Sequence, residues 1–203
     1  MLRELLDILS KRESSEIGFN QYQDKDILNN LRLYLSYLIR NNPKILLIGE
    51  APGYRGCRLT GIPFTSGVVI KNAKHKIFKE IGSEIKLHQV VYENTAAILW
   101  DFLGNEMPVP ILWNAFPFHP HERGMHESNR KPNVQELAEG KIYLKIVYDI
   151  FKPKKLCSLG RVGEIKLREL FPTEETIYIR HPSRGGKKNF INGMLKIYDS
   201  HIA

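Results

Sequence analysis

The sequence is poor in cysteine, with only Cys57 and Cys157 among 203 residues, and the two stand a hundred positions apart. Two thiols are too few for an iron–sulfur cluster held by four cysteines or for a structural zinc site built mainly from cysteine. Long apolar runs are missing, so no segment reads as a membrane span, and none reads as a cleavable leader. The expected setting is the cytoplasm, with both thiols free. Internal repeats, low-complexity tracts and Gly/Ser-rich linkers are also lacking, which gives no reason to divide the chain: residues 1–203 read as one domain, with 1–43 as an N-terminal helical segment belonging to it. Acidic residues are in deficit. Thirty Lys and Arg against 22 Asp and Glu leave a formal charge of +8, which attracts polyanions such as a phosphate backbone.

What the sequence does have is a recurring unit, a short apolar run ending in a turn. Four runs stand out: "KILLIGE" (44–50), "VPILWNAF" (109–116), "KKLCSLGR" (154–161) and "TIYIRHP" (176–182). Each is continuous rather than alternating, the pattern of strands buried on both faces of a parallel sheet. Helix-period segments lie between them at 24–42, 94–104, 133–151 and 162–171, with a last one near 189–201. Strands alternating with helices predict an α/β fold, a three-layer α/β/α sandwich around a four-stranded parallel sheet. Ligands in such folds bind at the carboxyl ends of the strands.

Those ends hold unusual residues. After the first run comes Gly49-Glu50-Ala51-Pro52-Gly53, a carboxylate delivered by a buried strand into a turn whose glycines allow close approach of a ligand. The stretch lacks both the Lys-Ser/Thr ending of a nucleotide-triphosphate loop and the G-x-G-x-x-G spacing of a dinucleotide site. Asn114 ends the second run, where its amide either reads the edge of a planar ligand or caps a turn. His119, His121, Glu122 and His126 follow in "HPHERGMH", but their spacing matches no zinc pattern and no metal is expected. The fourth run delivers His181, followed by Ser183, Arg184, two glycines, Lys187 and Lys188. Backbone donors, a hydroxyl and three positive charges suit a phosphodiester chain.

Gly49-Glu50-Ala51-Pro52-Gly53, Gly61-Ile62-Pro63-Phe64, a strand ending in Asn114, and His181-Pro182-Ser183, in that order, resemble the motif set of the uracil-DNA glycosylase superfamily. The first is most similar to the G-E-A-P-G of the family-4 enzymes, and "SNRKPNVQEL" (128–137) resembles their N-R-x-P-x-x-x-E-L segment. The resemblance spans roughly residues 44–190. It implies the fold already read from the pattern and a reaction, hydrolysis of the N-glycosidic bond of uracil flipped out of DNA. It also implies roles: Glu50 to orient or activate water and oppose positive charge on the sugar, and His181 to stabilise the departing base near O2. Phe64 would stack on the base, Asn114 would bond its edge, and Ser183 with the glycines after it would grip phosphates. The expected partner is uracil-containing DNA, met by a monomer with no cofactor and no membrane; the alternative is a nucleic-acid-binding member of the same fold that is non-catalytic or of altered specificity.

Three departures qualify it. Family-4 enzymes carry four cluster cysteines, so this chain reads as related to cluster-free members. In the best-known branch an Asp and a Tyr stand where this chain has Ala51 and Gly53, which removes the tyrosine wall that excludes thymine. That branch also follows His-Pro-Ser with a Pro and a wedging Leu, where Arg184 and Gly185 stand here.

Overall fold

The computed structural model describes residues 1–72 and 74–199. In chain order its elements are α1 (Leu2–Lys11), β1 (Gly18–Phe19), α2 (Lys25–Asn41), β2 (Ile45–Gly49), α3 (Cys57–Thr60), α4 (Gly67–Asn72), α5 (Lys76–Ile81), α6 (Asn94–Leu103), β3 (Ile111–Asn114), β4 (His119–Pro120), α7 (Val134–Phe151), β5 (Lys155–Leu159), α8 (Arg161–Leu170), β6 (Thr176–Ile179) and α9 (Lys187–Asp199). The four apolar runs become β2, β3, β5 and β6, paired in the order β3-β2-β5-β6 with every neighbour parallel. Successive side chains of a strand point to opposite faces. Ile45 to Ile48 of β2 are all buried, so helices cover both faces of the sheet there, as the continuous apolar pattern required; β6 departs from that expectation, because it stands at the sheet's edge and buries only Ile179 fully.

The helix boundaries follow their local chemistry. Asp24 caps α2 by accepting from the N–H groups of Asp26 and Ile27, and Asn42 ends it in the left-handed conformation. At α7 the side chain of Asn133 accepts from the Glu136 N–H while the Glu136 carboxylate accepts from the Asn133 N–H, a reciprocal capping box. The last helix runs to Asp199; the end of the predicted 189–201 segment lies outside the described residues. The pattern gave no sign of the short helices α3 to α5 or of β1 and β4. The two-residue strands pair antiparallel, with Gly18 opposite Pro120 and Phe19 opposite His119.

That small pairing fastens the N-terminal segment to the loop after β3. The Gln21 amide donates to the Pro117 carbonyl at 2.8 Å, His121 N–H donates to the Ile17 carbonyl at 2.9 Å, and Arg12 pairs with Glu139 of α7 at 3.1 Å. Among the described residues no helix is long and apolar enough to cross a membrane.

Candidate active site

The carboxyl ends of β2, β3, β5 and β6 open into one cavity of about 580 Å³. Glu50, Gly53, Phe64, Asn114, His181, Ser183 and Arg184 all line it, so seven of the predicted site residues converge. Lys187 and Lys188 do not: they stand exposed at the start of α9, outside its wall.

The turn after β2 is fixed at nearly every backbone oxygen. Ala115 N–H donates to the Gly49 carbonyl at 2.9 Å and Phe116 N–H to the Glu50 carbonyl at 3.1 Å, which carries the β2–β3 ladder past the strand ends. His119 Nδ1 lies 2.8 Å from the Pro52 carbonyl, and the N–H groups of Gly56 and Arg58 both reach the Gly53 carbonyl. Tyr54 N–H donates to Asn129 Oδ1 at 3.1 Å. The Glu50 backbone is thus immobilised, while its half-buried carboxylate makes no hydrogen bond to any described residue. Burial pushes its pKa above the usual carboxylate value, and the charge of Lys131 across the cavity opposes that rise.

Phe64 sits beside it in a conformation phenylalanine rarely adopts, with φ at 53°. Such strain persists only where the surroundings over-determine it. Here Trp100 Nε1–H donates to the Phe64 carbonyl at 3.0 Å, and Thr60 Oγ1 accepts from the Ile62 N–H at 3.2 Å. The ring lies directly over Gly49, where any side chain would run into it. Gly49 is therefore required by the ring rather than by the turn.

Asn114 is the last residue of β3, opposite Gly49 in the ladder, and is 4% exposed. Its amide caps nothing: among the described residues it has no hydrogen-bond partner, and it borders the cavity. Of the two sequence-level alternatives, the turn cap is not what this side chain does.

His181 is held from one side. Its Nδ1 lies 3.2 Å from the Ser183 N–H and 2.8 Å from Ser183 Oγ. An amide N–H can only donate, so Nδ1 is the acceptor and the neutral ring carries its proton on Nε2. Burial lowers the His181 pKa, Glu93 acts in the opposite sense and Arg180 adds to the lowering. Both donors of Ser183 are accordingly directed at the imidazole. Arg184 and Gly185 follow with φ of 50° and 74°, and Gly186 N–H closes the turn on the Ser183 carbonyl.

The sequence did not single out Glu93, Thr95 or Lys131, which also line the wall. Glu93 ends a loop with no regular pattern and caps α6, its two oxygens accepting from Thr95 N–H at 2.9 Å and Ala96 N–H at 2.6 Å. An acidic residue ahead of an apolar helical run was the available signal. The "SNRKPNVQEL" segment proves to be a strap: Asn129 binds the Tyr54 N–H, Arg130 pairs with Glu136, and Asn133 caps α7.

The histidine cluster does not converge on a common point. His119 faces the carbonyls of Pro52 and His126, and His121 Nδ1 faces the Glu122 carbonyl. Among the described residues only the exposed Asp24, Asp26 and His88 bring ligand atoms together closely enough for an ion. Cys57 and Cys157 are both buried free thiols, and burial pushes each pKa to about 12.

Residues 36–194, well over half of the chain, match the family model described as the Uracil DNA glycosylase superfamily. The chain belongs to that superfamily, a family of DNA glycosylases. Its fold is also that of the crystal structure of wild-type Pedobacter heparinus SMUG2, with a TM-score of 0.67 over 98% of this chain and 97% of that one, at 12% sequence identity. Among curated proteins no sequence matches.

Proposed function

We propose that this protein removes uracil from DNA by hydrolysing its N-glycosidic bond and leaving an abasic site, without a metal or cofactor. The carrying observation is the convergence, at one set of strand ends, of an unpartnered carboxylate, a half-buried aromatic ring that lines the cavity, an unpartnered amide and an imidazole with a fixed Nε2–H.

The bond breaks through an oxocarbenium-like state, which needs negative charge near the sugar and a donor near the leaving base. An extruded uracil stacks on Phe64, whose platform returns roughly 1–3 kcal/mol of the unstacking cost. The Asn114 amide meets the O4 acceptor and N3 donor of uracil; cytosine presents the opposite polarity at both places, so it is rejected. His181 donates from Nε2 to O2 as the electrons of the C1′–N1 bond pass to the base. The water oxygen bonds to C1′, and Glu50 accepts the water proton. Both groups suit these tasks: Glu50 is held without a neutralising hydrogen bond, and His181 is kept neutral by burial.

Discrimination against thymine is weaker on this reading. Gly53 leaves its part of the wall open, since a methyl group there would meet only Asn129 Oδ1, at 3.8 Å. Arg184, Lys187 and Lys188 supply positive charge for the DNA backbone.

The test is abasic-site formation, with chelator present, on oligonucleotides carrying uracil, cytosine, mismatched thymine or a deaminated purine at one position. Release of uracil with no release of cytosine supports the proposal. Binding without any base release, or release abolished by the chelator, overturns it.

A further inference from the structure

Beside the main cavity lies a second, smaller one of about 290 Å³, lined by Gly53, Tyr54, Arg55, Tyr92, Glu93, Asn94 and Asn129. It shares Gly53, Glu93 and Asn129 with the first, so the two form adjoining rooms with a common wall. Its chemistry differs. Two tyrosines line it, and Tyr92 is 53% exposed.

Three features point to the kind of ligand. Aromatic faces bind planar rings by stacking, and do so for any base because every base has a π-face. The amides beside them have donors to spare. Asn94 Oδ1 accepts from the Tyr92 hydroxyl at 3.3 Å and Asn129 Oδ1 accepts from the Tyr54 N–H at 3.1 Å, which leaves both NH₂ groups without a partner among the described residues. Carbonyl oxygens and ring nitrogens of a nucleobase are the complementary acceptors. The one charged group of the common wall is the Glu93 carboxylate, which disfavours a phosphate inside the room. The lining also carries one cation, Arg55, which is exposed to solvent with its guanidinium 5.3 Å from the centre of the Tyr54 ring. A neutral base suits the aromatic and amide part of the lining, and a phosphate suits the solvent-exposed Arg55.

We propose that this second cavity is a subsite for the nucleobase next to the target on the same DNA strand, stacked against Tyr92 and Tyr54 with its phosphate at Arg55. The proposal rests on the reading of the main cavity as the site for an extruded base. Because a flanking base can enter only when it is free of its own duplex stack, the subsite favours single-stranded or locally opened DNA over a closed duplex.

The experiment uses single-stranded oligonucleotides with one uracil, in which the 5′ or the 3′ neighbour is either a normal nucleotide or an abasic analogue. Dissociation constants are measured by fluorescence anisotropy and base release in parallel. Removing the neighbouring base on one side should weaken binding on the order of tenfold, and on the other side by much less. In Tyr92→Ala that dependence should shrink to within about twofold, while Tyr92→Phe, which keeps the ring, should retain it. Tyr92 is exposed, so its truncation leaves the core intact. Equal indifference of the parent to both neighbours, or a Tyr92→Ala loss of the same size whether or not the neighbouring base is present, overturns the subsite. Binding alone reads these outcomes, so an absence of base release would count against the proposed reaction and not against the subsite.

Discussion

Two carboxylates border the cavity, and the chain treats them in opposite ways. Glu93 spends both oxygens on the first N–H groups of α6, so its charge is absorbed by the helix. Glu50 has its backbone fastened from several sides and its carboxylate left without a hydrogen bond. The Glu93 carboxylate is satisfied by the helix, whereas that of Glu50 is held at the cavity wall and left open. Two other polar groups of the lining are likewise left open. His181 has one nitrogen fully engaged by Ser183 and the other free, and Asn114 has a free amide on a rigid strand end.

The sharpest way to break the comparison is to neutralise each carboxylate in turn. Glu50→Gln should leave DNA affinity near that of the parent and slow base release by two or more decades, on the order of 3 kcal/mol of transition-state stabilisation. Glu93→Gln keeps an oxygen for the cap and should change base release only a few-fold while costing about 1 kcal/mol of stability. Single-turnover rates and denaturant melts read both; a larger rate loss in the Glu93 variant would reverse the assignment.

A smaller effect is expected at Ser183. Ser183→Ala keeps the backbone N–H on His181 Nδ1 and removes the hydroxyl, a hydrogen bond worth roughly 0.5–1.5 kcal/mol, so base release should slow by up to about tenfold. Affinity for DNA should hardly change. A large loss of affinity at constant rate would show that the hydroxyl contacts phosphate rather than orienting the imidazole.

Smaller again is the effect of the exposed pair at the start of α9. Neutralising Lys187 and Lys188 together should weaken binding to all DNA sequences alike and reduce the steepness of its salt dependence by up to about two phosphate contacts. An unchanged slope would put the backbone on another face.

The smallest effect concerns stability. Glu50 has its folded pKa raised, so its ionised form destabilises the folded state at every pH above that value, and the penalty vanishes once pH falls below the unfolded value. Glu50→Gln should therefore melt slightly higher than the parent near neutral pH, and the gap should close as pH is lowered through the carboxylate range. A variant less stable than the parent at neutral pH would mean that Glu50 has a structural partner.

The legible parts of the sequence were those where local chemistry and burial agree. Continuous runs such as Ile45 to Ile48, short and bounded by turn residues, read as buried strands, and Glu50, Asn114 and His181 stood out as polar residues at the ends of such runs. Phe64 was legible through its motif, but its left-handed backbone was not, because Trp100 and Thr60, distant or inconspicuous in sequence, impose it. Glu93 and Lys131 were missed for a related reason: they reach the wall from irregular loops, and only the folded chain brings them there. The strands β1 and β4 are two residues each, too short to carry a period.

The central claim, that an ionised Glu50 drives hydrolysis at this cavity, is tested most directly by the pH dependence of single-turnover uracil release in the parent and in Glu50→Gln. The parent should lose activity as pH is lowered through a midpoint above the ordinary carboxylate value, because protonated Glu50 can neither take a proton from water nor oppose charge on the sugar. In the slow variant that limb should be missing. The same acid limb with the same midpoint in Glu50→Gln would contradict the account and assign the essential base to another group.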